Sequence, residues 1–468
     1  MSEIKTPGFL QSAICFGGIV TMIGVGILIY DVPLHVIILA AIIWSSLHAF
    51  SLGSRFKDIK EAMNHGIKRG LGAIYIFILI GVVIAAYLES GTISSIVYYS
   101  LDIISPAIFL PASLLICSFM SLAVGTSWGT VGTAGVILVG VGSAMGIPLP
   151  IVAGAVVSGA TFGDKLSPVS DTTNLAAVAA GTDLYKHIKS MIYTTIPTYV
   201  ICLVLFGFIG MGYSAEGLSD TGIRSFQQAI EANFVVSLWS LLPIITLFTL
   251  SYKKAPAEVA MISSVAVAAV LAILQQERSV LDFLISMQDG FKAETGHEDL
   301  DILVNRGGIQ SMMWTLSMTL FALALGGILE RYGFLKALLK GILDQIRSTL
   351  SLVFATMCAG ILACASMGES YISIIVTSQL FKDKYKEFKL KAYMLSRTVE
   401  ESTTMSSPLI PWSTAGAFYF AAMGIPVLDY LPYTFLNLLN PIVSLVMTFF
   451  GIAVFREVKK KPEPQAAE

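Results

Sequence analysis

The chain has 468 residues, of which 55% are hydrophobic and only 13% carry a charge, and its mean hydropathy is +0.78. Soluble domains contain about 25% charged residues, so this composition excludes an ordinary soluble protein. The net charge of −2, without a basic patch, gives no indication of nucleic-acid binding. Apolar runs long enough to cross about 30 Å of hydrocarbon recur from end to end. We therefore predict an all-α, polytopic membrane protein.

The apolar runs predict about 12 to 14 transmembrane segments. In chain order the runs lie at 9–30, 34–52, 70–89, 104–124, 127–147, 150–182, 190–212, 233–251, 256–275, 309–330, 349–367, 369–381, 392–424 and 434–455. The runs at 150–182 and 392–424 are too long for one straight helix, and polar residues and proline interrupt both. Since proline cannot continue a helix, each of these two runs predicts a broken helix.

Lys and Arg concentrate in particular stretches between the apolar runs. These stretches lie at 54–70, 185–189, 252–254, 331–347, 381–391 and 456–461, whereas the loops at 91–103, 214–230, 276–306 and 425–433 are poorer in basic residues. Because cytoplasmic loops of membrane proteins are enriched in Lys and Arg, the first group is predicted to face the cytoplasm. Both chain termini are then cytoplasmic, which agrees with an even number of crossings.

Three short motifs recur in the same order at a nearly constant offset. "GTSWGT" (125–130) aligns with "GESYIS" (368–373) at 243 residues, "SPVSDTTN" (167–174) aligns with "SPLIPWST" (407–414) at 240, and Glu89 in "YLESG" aligns with Glu330 in "ILERYG" at 241. This order predicts a duplicated chain with repeats at 1–230 and 231–468. Both glutamates close an apolar run and are predicted to mark helix ends.

The two repeats differ in how their helices meet the basic stretches. The run at 70–89 begins at a basic stretch, whereas its counterpart at 309–330 ends at one. The repeats are therefore predicted to have inverted topology. Inverted repeats with broken helices at matching positions are typical of secondary transporters, whose binding site lies near the bilayer midplane.

One polar stretch, "GDKLSPVSDTTN" (163–174), places Asp164 and Asp171 inside a long apolar run. An ionised carboxylate in the membrane interior faces a partner or a water-filled cavity and marks a functional site by default. Pro168 predicts an unwound stretch, after which Ser170 or Asp171 caps the next helical piece.

Oxygen-bearing side chains accompany the two aspartates, namely Ser167, Ser170, Thr172, Thr173 and Asn174. Carboxylate, hydroxyl and backbone oxygens suit a small hard cation, so we predict a Na⁺ site at Asp164 and Asp171. Two simpler interpretations stay open: Asp164 pairs with Lys165 in a loop, or Asp171 is only a helix cap. The histidines and cysteines show no metal-ligand spacing, so carboxylates are the predicted proton carriers.

The second repeat contains further carboxylates in apolar surroundings. Glu369 lies beside a glycine, and Glu400 and Glu401 precede a proline-broken stretch. We predict that Glu369 and Glu401 contribute to the ion site, and we favour Glu369 over Glu400. The alternative for the Glu400 and Glu401 pair is an interfacial ion pair with Arg397.

A carboxylate in such a cavity holds either a proton or a cation, and a nearby cation favours its charged form. Na⁺ therefore expels protons, and protons expel Na⁺. Two interacting carboxylates such as Asp164 and Asp171 titrate as a pair, which allows more than one proton to exchange per Na⁺. The prediction is a transporter of Na⁺ and H⁺ that uses no cofactor.

The stretch "SGATFGDKLSPVSDTTNLAA" (158–177) resembles the most characteristic motif of the NhaC family of sodium/proton antiporters, and "GTSWGT" and "SPLIPWSTAG" are similar to that family in layout. The resemblance covers nearly the whole chain. It implies an antiporter of the bacterial inner membrane, in the ion transporter superfamily, that exchanges cytoplasmic Na⁺ for external protons by alternating access. It also implies Asp164, Asp171 and Asn174 as site residues.

One branch of that family, the malate/lactate sodium antiporters, takes up protons with malate and releases Na⁺ with lactate. Lys165, Arg397 and the N-termini of the re-formed helices are candidates for holding such an anion. Only one basic residue lies inside the main motif, however, and a dianion needs more positive partners. Plain Na⁺/H⁺ exchange is therefore the favoured prediction, and malate and lactate transport is the alternative.

Two other classes of membrane protein also need to be considered. An intramembrane aspartyl protease would use two membrane aspartates, but those families resemble G-x-G-D, and here Thr161 stands two residues before Gly163. A channel is disfavoured because broken helices at matched positions are typical of carriers. We expect no enzymatic activity, and monomeric and homodimeric forms in the lipid bilayer both stay open.

Overall fold

A computed structural model describes residues 6–457 apart from 31, 104, 216–219, 254 and 344. The described residues are almost entirely helical. In the first half of the chain the helices are α1 (Phe9–Leu28), α2 (Leu34–Ser51), α3 (Phe56–Arg69), α4 (Leu71–Glu89), α5 (Thr92–Ile103), α6 (Pro106–Val124), α7 (Ser127–Thr130), α8 (Val136–Ala144), α9 (Leu149–Leu166), α10 (Asp171–Ala180), α11 (Leu184–Ala215) and α12 (Asp220–Asn233). A π-helical turn, Val131–Gly135, joins α7 to α8.

The second half continues with thirteen helices among the described residues. They are α13 (Leu242–Tyr252), α14 (Ala257–Leu274), α15 (Val280–Asp289), α16 (Glu298–Val304), α17 (Gly308–Ser311), α18 (Met313–Arg331), α19 (Phe334–Leu343), α20 (Thr349–Met367), α21 (Ser370–Glu387), α22 (Ala392–Ser406), α23 (Thr414–Met423), α24 (Val427–Tyr430) and α25 (Phe435–Phe449).

Eight helices of the described residues are long and apolar enough to cross a membrane, and up to eleven spans result if each of three bent helix pairs is counted as one. The chain is therefore a multi-pass membrane protein. The count is lower than the predicted 12 to 14 because several predicted runs are divided or short. The run at 150–182 forms α9 and α10, the run at 392–424 forms α22 and α23, and α25 has 15 residues.

Several segments that the sequence analysis treated as loops are helices. The basic stretch at 54–70 contains α3, and the stretches at 91–103, 214–230 and 276–306 contain α5, most of α12, and α15 with α16. In α3 the buried residues are Ile59, Ala62 and Gly66, which share one face of a helix at a spacing of three and four residues. A short amphipathic helix of this kind has too few apolar residues to form an apolar run.

Helix lengths recur along the chain at the offset that the motifs predict. The helices α6 and α20 have 19 residues each and start 243 residues apart, and α10 and α23 have 10 residues each at the same separation. The starts of α9 and α22 are also 243 residues apart. These lengths agree with a duplicated chain, while the inverted orientation of the repeats and the boundary at 230/231 stay predictions.

Buried hydrophobic residues form two large clusters, and each cluster draws on both halves of the chain. The first core contains residues within 77–160, 199–304 and 405–436, and the second core contains residues within 15–62, 176–180 and 318–399. Helices α2 and α3 pack against α18, while α14, α15 and α17 pack against α4. Each sequence half therefore covers a central helix of the other half.

The two broken segments connect the cores. Residues of α9 such as Val156 belong to the first core, whereas Ala176 and Ala180 of α10 belong to the second. In the other half Val399 of α22 belongs to the second core and Phe418 of α23 to the first. Both breaks therefore lie where the chain passes from one core to the other.

Candidate functional site

The motifs "GTSWGT" and "GESYIS" form the same local structure in their two halves. Gly125, with φ +79°, directly follows α6, and Gly368, with φ +64°, directly follows α20. This left-handed conformation favours glycine, which has no Cβ. The next residue, Thr126 or Glu369, caps the following helix by accepting a hydrogen bond from the backbone N–H three residues on. The recurring glycine thus breaks two helices at equivalent positions.

The second pair of breaks is also alike in the two halves. Helix α9 ends at Leu166, Pro168 lies in the non-helical stretch, and the Ser170 side chain caps α10 by accepting from the backbone N–H of Thr173 at 3.5 Å. Ser413 caps α23 in the same way. Of the two caps that the sequence left open, Ser170 is therefore the one observed.

The carboxylate of Asp164 lies between the two helix breaks of the first sequence half, the break after α6 and the break after α9. The residue is in the last turn of α9 and only 7% exposed. Its Oδ2 accepts a hydrogen bond from Ser127 Oγ at 2.7 Å, and its Oδ1 accepts one from Ser170 Oγ, also at 2.7 Å. Thr172 Oγ1 lies 3.1 Å from Ser170 Oγ. One buried carboxylate is thus surrounded by hydroxyl groups from two broken helices.

Other residues of the predicted site hold the break in shape. Asn174 Nδ2 donates to the backbone oxygens of Pro168 and Ser170 at 2.9 and 2.8 Å, and Ser167 Oγ donates to Leu122 O at 2.8 Å. Asp171 is exposed at the first position of α10, where a carboxylate interacts favourably with the helix dipole. Asp171 therefore does not share the buried environment of Asp164, and their coupled titration stays a prediction.

Glu369 is buried at the start of α21, where its Oε2 accepts from the backbone N–H of Ile372 at 2.9 Å. The nearby Tyr371 has Asp164, Asp171 and Glu369 among its electrostatic neighbours. These three carboxylates, predicted from both halves of the sequence, are therefore close enough to one side chain to interact with it electrostatically.

A second group of charged side chains is fully buried next to the site. Lys165 Nζ donates to Asn440 Oδ1 at 2.5 Å and lies 3.9 Å from Glu401 Oε1. Arg397 Nε lies 3.9 Å from Glu401 Oε2, and its Nη1 donates to Ala453 O at 3.1 Å. Glu401 also accepts a hydrogen bond from a threonine of α11. The two cations considered for anion binding therefore face the same glutamate.

Glu400 contacts a histidine that sequence reasoning did not place at the site. His187 Nε2 lies 2.6 Å from Glu400 Oε2, and Thr173 Oγ1 lies 3.0 Å from Glu400 Oε1. A lone histidine 213 residues before its partner gives no signal in the sequence. Ser127 was also missed, although its motif had been recognised as a repeated element, and that repetition was the signal that could have found it.

The glutamates that close apolar helices are confirmed as helix-end residues. Glu89 is the last residue of α4 and lies 3.3 Å from Arg278 Nε. Glu330, the next-to-last residue of α18, lies 2.5 Å from Arg69 Nη1. Each glutamate pairs with an arginine of the other sequence half.

Comparison with known proteins identifies the family. The model of the Na⁺/H⁺ antiporter family matches residues 8–173 and 159–452, which together cover nearly all of the chain. The chain belongs to the Na⁺/H⁺ antiporter family. This membership confirms the resemblance inferred from the motif at 158–177.

Relatives from this family align with the chain over nearly its full length. The chain is 36% identical over 458 residues to the Na⁺/H⁺ antiporter NhaC of Alkalihalophilus pseudofirmus, covering 98% of each chain. It is 33% identical over 455 residues to the malate-2H⁺/Na⁺-lactate antiporter of Bacillus subtilis, covering 96% of each. It is 34% identical over 466 residues to the arginine/ornithine antiporter ArcD of Halobacterium salinarum, covering 99% of this chain and 96% of the relative. By their names, these relatives include an antiporter of inorganic ions and antiporters of organic substrates.

Proposed function

We propose that the protein is a secondary active transporter that exchanges cytoplasmic Na⁺ for external protons, with Asp164 as the group that binds either ion. The observation that carries this proposal is the setting of Asp164, a buried carboxylate whose two oxygens each face a hydroxyl group from a broken helix. Family membership and the name of the NhaC relative support the same function.

The hydroxyl groups around Asp164 suit both ions. A hydroxyl group is a donor through its hydrogen and an acceptor through its oxygen, so Ser127 and Ser170 donate to the carboxylate when no cation is bound. Rotation of the same hydroxyls, together with Thr172, turns their oxygens toward Na⁺, which prefers oxygen ligands. A proton on Asp164 removes the negative charge that holds Na⁺, and this competition couples the two ions.

Further carboxylates complete the proposed site. Asp171 and Glu369 share an aromatic neighbour with Asp164, and negative charge at the mouth of a cavity attracts cations. Asn174 and Ser167 hold the backbone of the break, as their hydrogen bonds to carbonyl oxygens indicate. Glu401 faces both Lys165 and Arg397, and its negative charge offsets part of the positive charge that would otherwise repel Na⁺ at Asp164.

Alternating access follows if the two cores move relative to each other. Asp164 lies at the end of α9 in the first core, and the break at 167–170 leads to α10 in the second. Relative movement at this break changes the side of the membrane to which the carboxylate is open. The distribution of basic stretches supports an orientation with both termini in the cytoplasm, and the bacterial sources of two relatives support a location in the bacterial inner membrane.

A second candidate function is the exchange of an organic acid together with Na⁺ and H⁺, as the name of the malate/lactate relative suggests. One observation favours it: Arg397 Nε and Nη2 are buried without a hydrogen-bond partner. This edge of a guanidinium group is able to bind a carboxylate through two hydrogen bonds. Plain Na⁺/H⁺ exchange is better supported because Glu401 already faces both Arg397 and Lys165.

The test uses purified protein in liposomes loaded with ²²Na⁺. A pH gradient alone is expected to drive ²²Na⁺ efflux, and Asp164→Asn is expected to abolish that efflux, because asparagine keeps the shape but cannot carry the charge. Asp58→Asn, in the exposed first turn of α3, serves as the matched control. Efflux that requires external malate would support the second candidate, and unchanged efflux from Asp164→Asn would refute the assignment of the site.

A further inference from the structure

A chain of hydrogen bonds connects the end of α9 with α22 and α11. Ser396 Oγ lies 2.7 Å from His187 Nδ1, and His187 Nε2 lies 2.6 Å from Glu400 Oε2. The other oxygen of Glu400 lies 3.0 Å from Thr173 Oγ1. Thr173 Oγ1 in turn lies 3.2 Å from the backbone oxygen of Asp164. Four side chains thus lead to the backbone of the proposed ion-binding residue.

The four side chains of this chain of contacts are fully buried. His187, Glu400, Thr173 and Ser396 are each 0% exposed. The two ring nitrogens of His187 lie between Ser396 Oγ and Glu400 Oε2, so the ring bridges these two side chains. The Thr173 hydroxyl group carries one hydrogen, which is shared among Glu400 Oε1 and the carbonyl oxygens of Asp164 and Lys165. Buried polar groups that are all paired favour one arrangement over its alternatives. Glu400 is therefore fixed from the side of α11.

Thr173 contacts the part of α9 that most needs a partner. The last four carbonyl groups of a helix lack partners within that helix, and Thr173 Oγ1 lies 3.2 and 3.1 Å from the carbonyl oxygens of Asp164 and Lys165. The only other hydrogen bond described for Asp164 O is from Ser167 N at 3.2 Å. The hydroxyl group of Thr173 thus packs directly on the turn that carries the Asp164 side chain.

The contact also joins the two cores. Thr173 lies at the start of α10 and Glu400 within α22, and neighbours on both helices, Ala176 and Val399, belong to the second core. Asp164 lies at the end of α9, whose buried residues belong to the first core. The position of the Asp164 carboxylate is therefore set in part from the opposite core.

We propose that Glu400, oriented by His187, is a positioning residue for Na⁺ binding, and that it acts through Thr173 to hold the last turn of α9 with the Asp164 carboxylate aimed at Ser127 and Ser170. This inference rests on the proposed function and names how its site is kept in order. Preorganisation of a site lowers the ordering cost of binding, so the affinity for Na⁺ is the quantity that this contact controls.

Thr173→Val tests the central link, because valine keeps the shape of threonine and removes the hydroxyl group. We expect the Na⁺ concentration for half-maximal exchange to rise about tenfold, a factor that corresponds to about 1.4 kcal/mol, while the maximal rate changes much less. Thr173→Ser restores the hydroxyl group and is expected to restore the wild-type value. Thr448→Val removes a buried hydroxyl that bonds a carbonyl of its own helix and is the matched control.

Glu400→Gln and the double variant Glu400→Gln/Thr173→Val show whether the two residues act together. If Glu400 acts through Thr173, the half-maximal Na⁺ concentration of the double variant does not exceed the higher of the two single-variant values. The reason is that the effects of residues in one network are not additive. His187→Gln, which leaves Glu400 and Thr173 in place, is expected to raise the half-maximal Na⁺ concentration in the same direction. Melting temperatures in detergent identify any variant that has lost its fold.

The outcomes separate this inference from the proposed function. Wild-type protein that shows no proton-driven Na⁺ movement would refute the proposed function itself. Wild-type exchange with an unchanged half-maximal Na⁺ concentration in folded Thr173→Val would refute the positioning role alone. Fully additive effects of Thr173→Val and Glu400→Gln would also overturn it, since independent residues add. If Thr173→Val does not fold, His187→Gln provides the test. A folded His187→Gln protein with the same Na⁺ dependence as the wild type would also contradict the proposal.

Discussion

Removal of the Ser127 hydroxyl group is expected to weaken Na⁺ binding strongly while leaving the fold intact. Ser127 Oγ lies 2.7 Å from Asp164 Oδ2 and comes from a different helix break than Ser170. With Na⁺ bound, the Ser127 oxygen is proposed to face the cation, and we expect loss of that contact to cost about as much as loss of a hydrogen bond to a charged group, about 1.5 to 3 kcal/mol. Since about 1.4 kcal/mol corresponds to a factor of ten, Ser127→Ala should raise the half-maximal Na⁺ concentration by roughly 10- to 100-fold.

The assay for this variant is the Na⁺ dependence of ²²Na⁺ uptake into liposomes under a fixed pH gradient. Ser113→Ala is the matched control, because Ser113 is a buried serine of α6 whose hydroxyl donates to Phe109 O of the same helix. Ser170→Ala, on the other side of the carboxylate, is expected to behave like Ser127→Ala. A Ser127→Ala protein with the Na⁺ dependence of Ser113→Ala would show that the hydroxyl groups do not help to bind the ion.

Three further predictions concern stability, measured as melting temperatures in detergent. Gly163→Ala should destabilise the protein by about 1 to 3 kcal/mol, because a Cβ at this position would lie 2.7 Å from Ser121 Cβ and against the backbone of α6. The control is Gly207→Ala, where the new Cβ has open space around it. Equal melting temperatures of the two variants would contradict the close packing of α6 on α9. Lys165→Met should lower the free energy of unfolding by about 3 to 5 kcal/mol, because it leaves Glu401 with one fewer buried cation. The double variant Lys165→Met/Glu401→Gln should regain part of that stability. Arg69→Gln, which removes a partly exposed pair with Glu330, should lower the free energy of unfolding by less than about 1 kcal/mol. A larger loss of stability than that of Lys165→Met would contradict the expected difference between exposed and buried pairs.

The sequence was sufficient to predict the places where the helices break. Proline at 168 and glycine at 125 and 368 act through local backbone geometry, and such effects depend only on neighbours in the chain. The hydroxyl groups of 167–174 that the sequence placed near Asp164 do lie close to it, since Ser170 donates to its carboxylate, while the ion site itself stays a prediction. The match of "GTSWGT" with "GESYIS" predicted a duplicated chain, and the structure adds that both motifs follow a helix with a left-handed glycine.

Features that depend on distant contacts were not predictable from one sequence. His187 and Glu400 are separated by 213 residues and meet only because α11 packs against α22. The contribution of both sequence halves to each core likewise follows from tertiary packing, which apolar runs do not predict. Short amphipathic helices such as α3 were missed because only continuous apolar runs were read.

The central claim is that Na⁺ and a proton compete for the carboxylate of Asp164, and proton release on Na⁺ addition measures this competition directly. Purified protein in weakly buffered detergent solution, near the pH at which half of the sites are protonated, is titrated with Na⁺ while a pH dye is monitored. We predict that wild-type protein releases protons in a saturable manner, whereas Asp164→Asn releases none and choline in place of Na⁺ has no effect. Saturable proton release of equal size from Asp164→Asn would contradict the claim.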